Sequence, residues 1–171
     1  MTRSRAAELV ALAGAQGRTL AVAESLTGGA LASAIVDVPG ASAVFRGGVV
    51  AYATDLKASV LGVDADLLAR EGAVHPDVAE QMATGVTRVA GASVGLATTG
   101  VAGPEPQDGQ PVGTVFVAAA FDGSPTVRRL SLDGDRATIR AAAVAAAIRL
   151  ALEVLGGQDP GAGTNEAPGE L

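Results

Sequence analysis

Residues 21–29 read Ala21-Val22-Ala23-Glu24-Ser25-Leu26-Thr27-Gly28-Gly29. A short apolar run leads into polar residues and two glycines, and a helical pattern begins at Thr27. The stretch is a strand-to-helix junction. Such a junction gathers hydroxyls and backbone N–H groups at a strand end, where an α/β protein holds an anion or activates a nucleophile.

The pattern repeats outward from this point. Residues 4–16 carry Leu9, Val10, Leu12 and Ala13 at helical spacing before Gly17, and 18–24 read as a buried strand. The helix from Thr27 to Val36 stops at Pro39-Gly40. Residues 44–52 are β-rich, and Gly47 and Gly48 within them point to close backbone approach. A short helix runs through Leu61, and Asp64 can cap a further turn. Pro76 suits the first position of a helix reaching Ala90, and 93–99 form a third strand.

Residues 100–112 lack periodicity and form a Gly- and Pro-rich loop. Two strands, 113–121 and 126–132, join through Asp122-Gly123, a hairpin signal. Asp135 caps a long Ala-rich helix from Arg136 to Leu155. Alternation of strands and helices followed by one hairpin predicts an α/β domain. It has three layers, α/β/α, around a mixed, mostly parallel sheet. The expected domain covers 1–155, and the Gly, Pro and acidic stretch 156–171 reads as a disordered tail.

Composition narrows the function. The chain has 171 residues, is 49% hydrophobic and carries a net charge of −6, with no basic run and few aromatics. That balance argues against nucleic-acid binding, while a small anionic ligand remains compatible through local arginines and helix N-termini. There is no Cys, which excludes disulfides and thiolate chemistry, and the single His75 removes multi-histidine metal sites. Arg3 and Arg5 precede an apolar stretch that Glu8 interrupts, so it reads as a helix rather than a signal peptide. No apolar run is long enough to cross a membrane, and a cytoplasmic location is expected.

Ser25, Tyr52 and Lys57 follow successive strands whose carboxyl ends open into one crevice if the strands are parallel. A serine nucleophile needs a base, and a buried lysine is the better candidate because His75 lies elsewhere. The N–H groups near Thr27, Gly28 and Gly29 can form an oxyanion hole. Spacing alone favours a plainer reading, with Ser25 or Thr27 as helix caps, Tyr52 at a strand end and Lys57 solvated. Glu24 can bind a ribose hydroxyl, orient Lys57, or stand as a solvated strand end. Thr99, Gly100 and Gly103 lie in a loop that can cradle phosphate or serve as a turn. Arg136 and Arg140, one helical turn apart, can clamp a phosphate or simply face solvent. His75, before Pro76, reads as structural.

Several segments in order carry a resemblance. They are Ala23 to Gly29; Gly48-Val49-Val50-Ala51-Tyr52 with Lys57 and Leu61-Gly62-Val63; Thr99 to Pro104 with Pro111 to Val115; and Gly134-Asp135-Arg136. Together they resemble the CinA C-terminal domain family over roughly residues 5–155. The resemblance implies an α/β fold and hydrolytic deamidation of nicotinamide mononucleotide to nicotinate mononucleotide and ammonia, in pyridine nucleotide salvage. It implies a catalytic group of Ser25, Tyr52 and Lys57, with no cofactor and no metal. Glu24, Thr27, Gly28, Gly29, Thr99, Gly100, Gly103, Arg136 and Arg140 are the expected substrate-binding positions. Larger members carry an N-terminal domain related to molybdopterin-binding proteins, for which 171 residues leave no room.

The sequence departs from the family pattern at Leu26, where Cys is common, at Asp55 and Leu56, where Asn and Glu are common, and at His75, where Ser is common. Alternatives are a non-catalytic binding module linked to competence or DNA damage, and an amidase for another small amide. A homo-oligomer, with an arginine reaching the ligand across a subunit boundary, is compatible with the sequence.

Overall fold

The computed structural model describes residues 2–157. Five strands form one sheet in the order β2-β1-β3-β4-β5. They are β1 (Leu20–Glu24), β2 (Phe45–Val50), β3 (Val94–Gly100), β4 (Thr114–Phe121) and β5 (Ser124–Ser131). β1 pairs parallel with both β2 and β3, whereas β4 runs antiparallel to β3 and to β5. The sheet is therefore mostly parallel in direction with one reversed member, as the sequence pattern predicts.

Side-chain alternation builds the two faces. Leu20 and Val22 of β1, Val94 and Leu96 of β3, and Val115 and Val117 of β4 join one apolar cluster. Three helices complete that cluster: α1 (Thr2–Ala15), α2 (Ala30–Val36) and α6 (Arg136–Gly156). The intervening residues Ala21, Ala23, Ala97, Phe116 and Ala118 face the second cluster. There they meet Leu67 of α4 (Ala65–Glu71) and Met82 and Val86 of α5 (Pro76–Ala90), with α3 (Thr54–Ser59) at the same layer. Because successive strand residues point to opposite faces, each strand contributes to both cores.

The second face is lined by small residues, and α5 comes correspondingly close. A Cβ on Gly95 would lie 2.0 Å from the Ala83 carbonyl oxygen. Of the two β2 glycines expected to permit close approach, Gly48 does so, since its Cβ would lie 2.5 Å from Val22 Cγ2, whereas a Cβ on Gly47 would have no atom within 4 Å.

The caps expected at Asp64 and Asp135 are in place, and His75 caps a third helix. Asp64 accepts from the Asp66 and Leu67 N–H groups, His75 from Asp77, and Asp135 from Thr138. The Asp122-Gly123 turn has φ of 48° and 79°, the left-handed pair that a two-residue hairpin needs.

Most boundaries shift by one or two residues, and the start of α2 shifts most. The helix expected from Thr27 begins only at Ala30, because Gly28 and Gly29 adopt φ of 59° and 97° and turn the chain before it. The long C-terminal helix ends at Gly156, and the tail expected over 156–171 lies, from residue 158, outside the described residues. Among the described residues no helix is long and apolar enough to cross a membrane.

The chain leaves β1 toward β2 on one side of the sheet and returns to β3 on the other. The connection reverses at β1, and the crevice beyond the carboxyl ends at such a reversal is where open α/β sheets bind ligands. Register places Glu24 beside both Val50 and Thr98, so β1 and β2 end level and β3 runs two residues further, to Gly100, at the same edge. β5 ends at the same edge, with Ser131 opposite Thr114, and delivers the N-terminus of α6 there.

Candidate active site

Glu24 closes the loop that carries Ser25. It is fully buried, and its carboxylate accepts from the N–H groups of Gly29 at 3.0 Å, Leu31 at 2.9 Å and Ala32 at 2.8 Å. This corrects the expectation of a ribose ligand, a partner for Lys57 or a solvated strand end. Both oxygens are committed to the start of α2, where a negative charge is favoured.

The rest of the loop is equally occupied. The Ser25 N–H donates to Thr98 O at 3.0 Å, and the Thr27 and Thr98 hydroxyls meet at 2.7 Å. Arg140 donates to Leu26 O at 3.0 Å and to Thr27 O at 2.7 Å. Thr27 and Arg140 are thus structural ties rather than substrate contacts. Two of the five Arg140 N–H donors are spent on loop carbonyls, and Arg140 does not line the cavity that Arg136 lines. The expected oxyanion hole also changes. The Gly28 N–H donates to Ser25 O and the Gly29 N–H to Glu24, so neither glycine amide is available to a ligand.

These ties present the Ser25 hydroxyl to Lys57. Lys57 Nζ lies 3.0 Å from Ser25 Oγ and donates to Ala51 O at 2.7 Å. The lysine is only 1% exposed, although it sits on the short helix α3. Burial lowers its pKa to about 8, against the opposing charges of Asp108 and Asp55. With the amine neutral, the same short contact can run from Ser25 O–H to Nζ.

Tyr52, expected in the catalytic group, lines the same cavity as Ser25 and Lys57. Its hydroxyl accepts from Arg136 at 2.7 Å, and the second arm of Arg136 donates to Gly103 O at 2.8 Å. The recorded partner of the phenol is thus the arginine rather than the lysine or serine. Tyr52 and Arg136 stand at the mouth of a cavity of about 100 Å³ whose wall includes Ser25, Lys57, Thr99, Gly100 and Gly103. Seven of the expected positions therefore converge on one cavity, namely Ser25, Tyr52, Lys57, Thr99, Gly100, Gly103 and Arg136. Glu24, Thr27, Gly28, Gly29 and Arg140 do not line it.

Thr99 is in the wall, but its hydroxyl donates to Ala73 O at 2.7 Å. His75 accepts from the Asp77 N–H at 3.3 Å and caps α5, in keeping with its structural reading. Sequence reasoning overlooks Ala73, Val74, Glu105 and Gln107, which also line the cavity. The last two ride on the aperiodic stretch after β3. Its Asp108-Gly109 dipeptide is the available signal for a tight turn that projects them.

Comparison with known proteins agrees with this architecture. The chain matches the CinA C-terminal domain over residues 2–155. It is 56% identical over 139 residues to a CinA-like protein of Frankia casuarinae, covering 81% of this chain and 32% of the relative. It is 46% identical over 142 residues to a putative competence-damage inducible protein of Desulforamulus reducens, covering 83% and 34%. The chain thus spans about a third of the length of these curated relatives.

Among solved structures, a CinA superfamily protein of Klebsiella pneumoniae superposes with a TM-score of 0.88 at 35% identity, covering 92% of this chain and 99% of that one. A CinA superfamily protein of Escherichia coli gives 0.87 at 34% identity and 90% coverage of each. The chain belongs to the CinA C-terminal domain family.

Proposed function

We propose that this domain is an amidohydrolase that deamidates nicotinamide mononucleotide to nicotinate mononucleotide and ammonia, a reaction of pyridine nucleotide salvage. The observation that carries the reading is the buried Lys57–Ser25 contact of 3.0 Å at the carboxyl edge of three parallel strands. A neutral lysine beside a serine hydroxyl is a base matched to a nucleophile.

In this mechanism Lys57 Nζ takes the Ser25 proton while Oγ bonds to the carboxamide carbon. The carbonyl π electrons move onto oxygen, which the Leu26 N–H beside the nucleophile stabilises. Collapse of the tetrahedral intermediate breaks the C–N bond, and Lys57 returns the proton so that ammonia leaves. Water, deprotonated by Lys57, then attacks the acyl-serine carbonyl; the C–Oγ bond breaks, Lys57 returns the proton to Ser25 Oγ, and the acid leaves as its carboxylate.

The cavity of about 100 Å³ is well below the ~300 Å³ at which whole-ligand pockets begin. It suits the carboxamide end of the substrate, with ribose and phosphate extending past the mouth. Arg136 is exposed there, and its guanidinium is suited to a phosphate in place of its neutral partners, Tyr52 and Gly103 O.

The test is release of ammonia and nicotinate mononucleotide by the purified protein, with Ser25→Ala alongside. Wild type turns over, and the variant, equally folded by circular dichroism, loses roughly 10³-fold or more in kcat. Failure of folded wild type to release ammonia refutes the substrate. In that event, turnover of another small amide supports the general amidase alternative. A ligand-dependent thermal shift without any turnover supports a binding module.

A further inference from the structure

The segment after β3 is a finger rather than a plain loop. Its base is closed by Val101 N–H to Thr114 O at 2.9 Å and Gly113 N–H to Val101 O at 2.8 Å. Near its tip Gln107 and Gln110 exchange two backbone bonds of 3.1 and 2.8 Å. Between them Asp108 and Gly109 turn with φ of 51° and 71°. The two-residue turn aims the Asp108 side chain back at the body of the domain.

Asp108 Oδ2 accepts the Ala73 N–H at 2.7 Å. The fit is close, since a Cβ on Gly72 would lie 2.3 Å from Asp108 Cγ. The other side of the same residue is also held, because Ala73 O accepts from Thr99 on β3. Ala73 is therefore tied to the finger through its N–H and to the sheet through its carbonyl. Ala73 and Val74 form one part of the cavity wall, and Glu105 and Gln107 of the finger form another. The left-handed Asp108-Gly109 pair is what a two-residue turn needs, as at Asp122-Gly123; the carboxylate bond to the Ala73 N–H is what this turn adds.

We propose that Asp108 is a positioning residue for substrate binding: its carboxylate latches the finger to Ala73 and thereby sets the wall that Glu105 and Gln107 present to the ligand. The latch itself stands on the geometry, and its kinetic consequence rests on the deamidase reading above. Asp108 touches no reacting atom in this scheme. Its loss changes how well the substrate is held; because its charge also favours protonated Lys57, kinetics are compared well above the Lys57 pKa of about 8, where the amine is neutral with or without Asp108.

The experiment compares wild type, Asp108→Ala and Asp108→Asn. Hydrogen exchange of the Ala73 amide and of residues 101–113 is followed without ligand, and nicotinamide mononucleotide turnover is measured in parallel. In Asp108→Ala, Ala73 exchange accelerates at least about tenfold. KM rises roughly tenfold with kcat within about twofold. In Asp108→Asn the amide oxygen accepts the same N–H, and most of both effects is rescued. A merely structural loss would instead lower the active fraction, reducing kcat with KM unchanged.

Wild-type exchange at Ala73 in Asp108→Ala overturns the latch, whatever amide the protein hydrolyses. Faster exchange with an unchanged KM overturns the positioning role. If none of the three proteins releases ammonia, the deamidase reading fails, and the exchange comparison alone decides the latch.

Discussion

Lys57 carries opposing influences in one side chain. Burial disfavours its charge, Asp108 and Asp55 favour it, and burial prevails to bring the pKa to about 8. Only the neutral amine can accept the Ser25 proton, and that form grows as pH rises through the pKa. The rate kcat/KM should therefore climb with an ascending limb near pH 8, measured in buffers from pH 6 to 10. A flat profile would remove Lys57 from the role of base. The convergence of Ser25, Tyr52, Lys57 and Arg136 on one cavity is legible in the sequence because each residue follows a strand whose carboxyl end lies at the same edge of the sheet. The direction of a polar group is less legible. Glu24 and Arg140 look like ligands for a substrate, yet both turn back on the loop, since only the folded backbone shows which buried N–H and C=O groups need partners.

At the level of elements, the turn between β1 and α2 rests on one carboxylate. Glu24 receives three N–H groups, at Gly29, Leu31 and Ala32. Glu24→Ala leaves them without that acceptor and should cost about 3 kcal/mol or more, read from urea unfolding midpoints. A loss below about 1 kcal/mol would show that the loop holds without its cap. The delayed start of α2 has the same origin. Helical spacing from Thr27 is a fair reading of the apolar pattern, but Gly28 and Gly29 allow a left-handed turn that the carboxylate then fixes. The finger at 101–113 escapes periodicity because its stabilising contacts lie across the chain, at Gly72 and Ala73, and leave no repeat in the local sequence.

Across the whole molecule, the two faces of the sheet are built differently. One carries mostly Val and Leu side chains, and the other is largely alanine, over which α5 lies close. Gly95→Ala would place a methyl 2.0 Å from the Ala83 carbonyl, so the helix must move away from the sheet. The expected cost is about 1–3 kcal/mol, checked by thermal or urea unfolding, and an unchanged midpoint would show that the layer yields freely. The layer order and strand directions are legible because period-two alternation and helical spacing are imposed by these two cores. The aromatic-poor composition that makes the close packing possible also leaves the chain with one Tyr and no Trp. That tyrosine is Tyr52, 58% exposed at the cavity mouth and bonded to Arg136. The intrinsic ultraviolet emission of the protein thus originates from a single phenol, and occupancy of the mouth can be followed optically without attaching a dye.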